Sequence, residues 1–353
     1  MNHLILYCRP GFEPECAAEI NDLATQAGVP GYSKTSRGDG YVVYVCHAAD
    51  GASLLMKLLV FSQLIFVRQW FASPGLIEGL PASDRITPLL EQMRGFPQCG
   101  ELMIETADTN EAKELAGFCR KFTSPCAQQL RKAGILSAKR TEKLPRLHLF
   151  FLSSERVYLG VSYPGNHARD EMGIPRLKFP AAAPSRSTLK LDEAFLHFLT
   201  ETQRERLLEP GMRSVDLGAA PGGWTWQLVK RHLQVVAVDN GPMAESLMDS
   251  GLVTHVREDG FRFQPQRSVQ WMVCDMADQP SKVAKHMALW LQQGWSERII
   301  FNLKLPMKKR YLAVCECQDL IRELLGQAGV TYQLDLKQLY HDREEVTGYL
   351  RRA

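Results

Sequence analysis

Residues 215–224 read VDLGAAPGGW. An apolar run carrying one acid, Asp216, gives way to a turn of small residues, Gly218 to Gly223, and then to an aromatic-headed stretch. A strand, a tight turn and a helix in that order make the first half of a βαβ unit. The same rhythm continues downstream. Strands are predicted over 213–217, 234–239, 253–257, 269–274 and 298–303, with helices over 224–232, 281–293 and 308–328. The closing stretch TYQLDLKQLYHDREEVTGYLRR alternates like two antiparallel strands. Ahead of the unit, LKLDEAFLHFLTETQRERLL predicts one helix over 189–208 that stops at Pro210-Gly211. Strands alternating with helices demand a mostly parallel sheet covered on both faces. Such sheets bind ligands beyond the carboxyl ends of their strands.

The turn restricts the ligand. A dinucleotide fingerprint, G-x-G-x-x-G, needs its second glycine so that backbone can approach a pyrophosphate. Here Ala220 stands at that position, and Pro221 has no N–H to offer. No Gly-Lys-Ser/Thr follows, so a Walker loop is excluded as well. The loop of Gly218, Ala220, Pro221, Gly222, Gly223 and Trp224 suits a bulky nucleoside without a diphosphate, such as S-adenosyl-L-methionine. Asp216 would meet the ligand's ammonium, directly or through water. Asp239, ending VVAVD, would accept the ribose hydroxyls, and Asp259, ending VRED, the adenine amino group. Asp275 ends WMVCD. Any one such Asp is more readily a cap or turn residue; four at successive strand ends, with the glycine turn, argue for a class I S-adenosylmethionine site. Trp224 and Trp226 fit core packing better than stacking on a base.

At 353 residues the chain is long enough for two cores. The expected division is an α+β region over 1–163, a linker over 164–186 rich in proline, and a Rossmann-like domain over 187–353. The front region mixes strands (LILYC, GYVVYVC, ELMIET, LHLFFLS, VYLGVSY) with helices over 14–27, 53–66 and 111–131. It forms one α+β domain or two small ones in series. Nine cysteines at irregular spacing make no C-x-x-C pair, so no metal is expected and a reducing cytoplasm is. No secretory leader is expected from MNHLILYCRPGFEPE, and the apolar stretch at 54–67 is broken by Lys57, Ser62 and Gln63, so no membrane span is expected.

DLGAAPGGW, SRSTLKLDE (185–193), CDMA (274–277), NLKLPMKKR (302–310) and DREEV (342–346) together resemble the FtsJ-type RNA 2′-O-ribose methyltransferases. The likeness covers the last 165 or so residues. The front region and the ending QLYHDREEVT resemble more narrowly a bacterial branch of that family that methylates a large-subunit rRNA cytidine and carries an N-terminal THUMP RNA-binding domain. The resemblance implies 23S rRNA as partner, a cytidine in the peptidyl-transferase loop and action before subunit assembly; a monomer is expected. It also implies a catalytic set of Lys190, Asp275, Lys304 and Glu345. In that set Lys304, as a neutral amine, would take the proton of the 2′-hydroxyl. Lys190 and Glu345 would position ribose and amine, and Asp275 would hold Lys304 near the methyl. Of the doubled acids only one can point inward; Glu345 is expected to, and Glu344 to point out. Asn302-Leu303 departs from the valine-lysine run common in relatives. Ser187 would touch the cofactor or cap the Lys190 helix.

A net charge of +3 gives no global pull on a polyanion, so RNA must meet local patches. From 113 to 146, nine Lys or Arg stand against two acids, which suits a phosphate-tracking face. Arg169, Arg176, Lys178 and Arg186 would extend that track, with Lys308 and Lys309 as outer residues of the site.

Overall fold

The computed structural model describes residues 1–353 and divides into two compact units, 1–175 and 176–353. In the first, strands β1 (His3–Tyr7), β2 (Gly31–Lys34), β3 (Tyr41–Cys46), β4 (Gln69–Ser73), β5 (Leu76–Ile77), β6 (Glu101–Thr106), β7 (Arg146–Ser153) and β8 (Arg156–Ser162) make one sheet. Its order is β2-β3-β1-β4-β8-β7-β6, with β5 also on β8. Helices α1 (Glu13–Gln26), α2 (Gly51–Leu58), α3 (Ile86–Gln92) and α4 (Lys113–Lys132) accompany it. The two halves of this sheet meet at one point, where β4 joins β8 through the single pairing Ala72–Val161. Gly160 makes this junction possible, because a Cβ there would run into the Ala72 carbonyl. The helix expected over 53–66 ends at Leu58; beyond it the buried Glu19 carboxylate accepts the backbone N–H groups of Ile65 and Phe66 and holds that segment out of the helix.

The expected linker is not free along its whole length. Asn166 accepts the Phe61 N–H at 2.7 Å and donates to the carbonyls of Met56 and Leu59. Arg146 donates to the Ala168 carbonyl at 2.6 Å. These bonds tie residues 166–168 to the first unit, and the division falls after Pro175.

The second unit opens with α5 (Thr188–Phe198) and α6 (Glu201–Leu207), two helices where one was expected. The break has a local cause. Thr200 accepts the Gln203 N–H and the Gln203 side chain accepts the Thr200 N–H, a complete capping box that restarts the helix. Then come β9 (Arg213–Leu217), α7 (Gly223–Val229), β10 (Gln234–Val238), α8 (Glu245–Met248), β11 (Val253–Val256), β12 (Val269–Cys274), α9 (Pro280–Gln292), β13 (Ser296–Lys304), α10 (Arg310–Gln327), β14 (Tyr332–Lys337) and β15 (Glu345–Arg352). The sheet order is β11-β10-β9-β12-β13-β15-β14, parallel from β11 to β13 and antiparallel from β13 through β15 to β14. This is the Rossmann-like arrangement expected. Trp271 and Val273 of β12 pack with Phe195 of α5 and Trp224 and Leu228 of α7 in one core. By strand alternation the equally buried Met272 and Cys274 serve the opposite face. Strand order reverses between β9 and β12, so the crevice for a ligand opens where those two strands end.

Candidate active site

The turn after β9 lies at that crevice. Gly218 (φ 77°) and Gly222 (φ 115°) take left-handed backbone, which a side chain would strain. A Cβ on Gly218 would also sit 2.9 Å from Met276 Cγ, in the segment that leaves β12. Gly223 opens α7 against Ser185 and Ser187, leaving no room for a Cβ. Asp239, at the end of β10, accepts the Ala220 N–H at 3.0 Å and the Gly241 N–H at 2.7 Å and so pins the turn. Pro221 is exposed, and Trp224 is buried in the core, as its packing role required. Ser187 does not cap α5; its hydroxyl shares a 2.6 Å hydrogen bond with Ser185 instead. Asp259 is not at a strand end. It lies three residues beyond β11, about half exposed, and accepts the Phe261 N–H in a local turn.

Asp216 is fully buried on β9. One oxygen accepts the Thr225 hydroxyl at 2.6 Å, and Oδ1, equally buried, has no hydrogen-bond partner. Burial, with the charges of Asp275 and Asp239 adding to it, pushes its carboxyl up to about 7, against the opposing pull of Thr225. A buried acceptor without a donor costs about 1–3 kcal/mol, which a ligand N–H would recover. The acceptor-rich pair Asp216 and Asp239 suits an ammonium and hydroxyls, not a phosphate.

The four residues of the expected set come together. Lys304 ends β13 and Glu345 begins β15, and the two are direct cross-strand partners. Lys190 projects from the first turn of α5, and Asp275 follows β12, its backbone N–H on the Leu217 carbonyl. Lys304 Nζ donates to Asp275 Oδ1 and, at 2.6 Å, to Glu345 Oε1. Lys190 Nζ donates to Glu345 Oε2 at 2.5 Å and lies 3.5 Å from Asp275 Oδ2. Two cations and two anions thus close a ring, each side chain 13–26% exposed. Strand alternation decides between the two glutamates: Glu345 enters the ring, and Glu344 turns out to Arg310 at 2.7 Å.

One expectation needs correction. Burial alone would lower the Lys304 pKa, but the charges and hydrogen bonds of Asp275 and Glu345 outweigh it, and the net shift is upward. Lys304 is an ammonium in the ligand-free protein, not a neutral amine.

Sequence reasoning treats Asn302 as a mere departure and passes over Thr347. Both face the ring. Asn302 Nδ2 donates to Asp275 Oδ1 at 3.1 Å and Glu345 Oε2 at 3.3 Å, and Thr347 is its cross-strand partner. The signal is there in the spacing: Asn302 lies two residues before Lys304, and Thr347 two after Glu345, on the same faces of their strands. In the first unit, eight of the nine cations between 113 and 146 are exposed; Arg146 is buried against Glu101 and leaves the expected RNA face. Arg169, Arg176, Lys178 and Arg186 are exposed. A cavity of about 920 Å³, lined in part by Arg213, Gln234, Thr254 and Arg267, includes none of the ring residues.

Known proteins resemble the chain along its whole length. Residues 1–71 match the RlmM ferredoxin-like domain, 84–163 the N-terminal region of ribosomal RNA large subunit methyltransferase M, and 183–330 the FtsJ-like methyltransferase family. Proteins called ribosomal RNA large subunit methyltransferase M from Shigella sonnei and Escherichia coli O9:H4 are each 54% identical to the chain, covering 100% of it and 97% of their own length. The chain belongs to the ribosomal RNA large subunit methyltransferase M family. Among solved structures, TrmN from Thermus thermophilus is 15% identical over 100% of both chains at a TM-score of 0.34. Magnesium protoporphyrin IX methyltransferase from Synechocystis with bound SAM is 15% identical over 47% of this chain and 79% of its own, also at 0.34. As a methyltransferase of the RlmM and FtsJ-like type, the chain uses S-adenosylmethionine. Its turn residues and the partnerless Asp216 oxygen fit that cofactor. No group of three or more His, Cys, Asp or Glu side chains is placed to hold a metal, and no helix is long and apolar enough to cross a membrane.

Proposed function

We propose that this protein methylates the ribose 2′-oxygen of a cytidine in the peptidyl-transferase loop of 23S rRNA. It would act in the cytoplasm, as a monomer, before the large subunit is assembled. The observation that carries the reading is the closed ring of Lys190, Asp275, Lys304 and Glu345 beside the glycine turn.

S-adenosylmethionine supplies an electrophilic methyl on a sulfonium whose positive charge also disfavours the Lys304 ammonium. Asp216 would bind the donor's ammonium through Oδ1. Asp239 keeps lone pairs for its ribose hydroxyls after holding the turn. Gly218, Ala220, Pro221, Gly222 and Gly223 shape its cradle, and Ser187 and Asp259 border it. Asp275 and Glu345 fix Lys304 Nζ by two hydrogen bonds, leaving its third proton position for the substrate oxygen. Once deprotonated, Lys304 takes the proton of the 2′-hydroxyl as that oxygen attacks. Lys190, held by Glu345, orients the ribose. Holding the reacting atoms in line supplies up to ~7–11 kcal/mol in favourable cases, and general base catalysis a further 10²–10⁴-fold, on the order of 3–5 kcal/mol. In the first unit, exposed cations of α4 and the segment after it, with Arg169, would track the RNA backbone; in the second, the exposed Arg176, Lys178 and Arg186 would each meet phosphate.

Incubation of the protein with labelled S-adenosylmethionine and rRNA lacking its modifications, followed by digestion to nucleosides, tests the reading. Label on 2′-O-methylcytidine is the expected result. Label on a base would overturn it.

A further inference from the structure

The ring rests on a second layer of hydrogen bonds that reaches away from the crevice. Thr347 Oγ1 lies 2.8 Å from Asn302 Oδ1 and 2.8 Å from Asp342 Oδ2, all three residues being fully buried. A hydroxyl carries one proton, so Thr347 can donate to only one of these oxygens. The direction is decided at the other end of Asn302. Its amide nitrogen is the atom that faces the Asp275 and Glu345 carboxylates. Turning the amide over would set its carbonyl oxygen against two carboxylate oxygens, with no proton between it and either of them. Asn302 Oδ1 therefore takes the Thr347 proton, and the remaining hydrogen bond must be donated by Asp342.

Resting on the ribose-methylation reading above, we propose that Asp342, Thr347 and Asn302 form a positioning chain, ended by a neutral Asp342, that aims the Asp275 and Glu345 carboxylates at the two lysines. An ionised Asp342 would reverse the Thr347 hydroxyl and strip Asn302 of its donor. It would also add a third anion behind a ring whose two cations and two carboxylates cancel. The surroundings keep Asp342 neutral. Burial first, and then the charges of Glu345 and Glu193, hold its carboxyl well above the usual carboxylate range, against the weaker pull of the Leu339 N–H. Glu193 belongs to the same device. It lies one turn after Lys190 on α5 and accepts the backbone N–H groups of Tyr340 and His341 and the His341 ring, at 2.6–2.9 Å. It thus anchors the turn that presents Asp342. The chain crosses β13 and β15 at the register Asn302–Thr347, one step along the same face from Lys304–Glu345.

Thr347→Val keeps the shape and removes the hydroxyl; Thr347→Ser keeps the hydroxyl. The expected result is a loss of ~10-fold in kcat for the valine variant, the size of one hydrogen bond, with KM for RNA and cofactor affinity held, and recovery of most of kcat in the serine variant. Equal losses in both variants, or a valine variant with the wild-type kcat, would overturn the chain. An arm independent of activity uses infrared difference spectra of wild type against Asp342→Asn at neutral pH. A neutral carboxylic-acid carbonyl band missing from the variant supports the proposal; a missing ionised-carboxylate band overturns it. This arm also decides the matter should the valine variant fail to bind cofactor. Methylation of a base by the wild type would sink the ribose reading while leaving the infrared result and the valine–serine contrast to judge the chain.

Discussion

Lys304→Met tests the ring at its most exposed cation. Methionine keeps most of the side-chain volume and removes the amine. The change removes two charge-assisted hydrogen bonds, to Asp275 and to Glu345, and leaves Lys190 as the one cation for two carboxylates. Breaking a fully buried pair costs about 3–5 kcal/mol, but these side chains are 13–26% exposed, so a smaller stability loss, on the order of 1–3 kcal/mol, is expected. Proton uptake by one carboxylate limits it further. The catalytic loss is larger: without the base, kcat falls ~10²–10⁴-fold, about 3–5 kcal/mol of barrier. The assay is single-turnover transfer of labelled methyl to RNA, with calorimetric cofactor binding as the control for folding. Cofactor affinity within about threefold of wild type, under ~0.7 kcal/mol, is expected. The wild-type rate should climb as pH rises toward the raised Lys304 pKa, since only the neutral amine accepts a proton. A methionine variant within a few-fold of the wild-type rate, or a flat pH profile, would refute the assignment of Lys304 as base.

Other outcomes follow from the same geometry. Asp216 titrates at about 7 in the folded protein against 3.8 unfolded, so its contribution is fully present below pH 4 and lost as pH rises to 7. Relative to Asp216→Asn, the wild type should lose on the order of 4 kcal/mol of unfolding free energy over that window, measured by denaturant melts; a parallel pair of curves would contradict it. Glu345→Ala should cost ~10²-fold or more in kcat, whereas Glu344→Ala, which removes only an outward pairing with Arg310, should leave kcat near wild type. Replacing the exposed Arg131, Lys132, Lys139 and Lys143 with alanine should weaken RNA binding and flatten its salt dependence by about 0.7–0.9 for each phosphate that is no longer neutralised, read by titrations at several salt concentrations.

Local chemistry wrote the second unit plainly. The strand–acid–turn pattern around Asp216 and the period-two stretches at the end carry their structure in their own residues, so both were legible. The capping box at Thr200 and Gln203 is equally local, but it sits inside a continuous apolar periodicity, so α5 and α6 read as one helix. The first unit was harder because its assembly is not local. Strand β4, a short QWFAS run, acquires its identity from β1 and from the Ala72–Val161 junction, 89 positions apart along the chain. The membership of the ring came from resemblance, and only the β13–β15 register shows why Lys304 meets Glu345 and Asn302 meets Thr347. The charge state of Lys304 was out of reach, because it depends on two carboxylates brought in from different strands. Arg146 shows the same limit: its charge pointed to RNA, and its place on β7 buries it against Glu101.

The most direct measurement is a crystal structure with S-adenosylhomocysteine and an RNA fragment bearing the target cytidine. The account predicts the 2′-oxygen within about 2.6–3.2 Å of Lys304 Nζ and in line with the donor sulfur. A 2′-oxygen beyond hydrogen-bond reach of Lys304, or a base atom in its place before the sulfur, would contradict it.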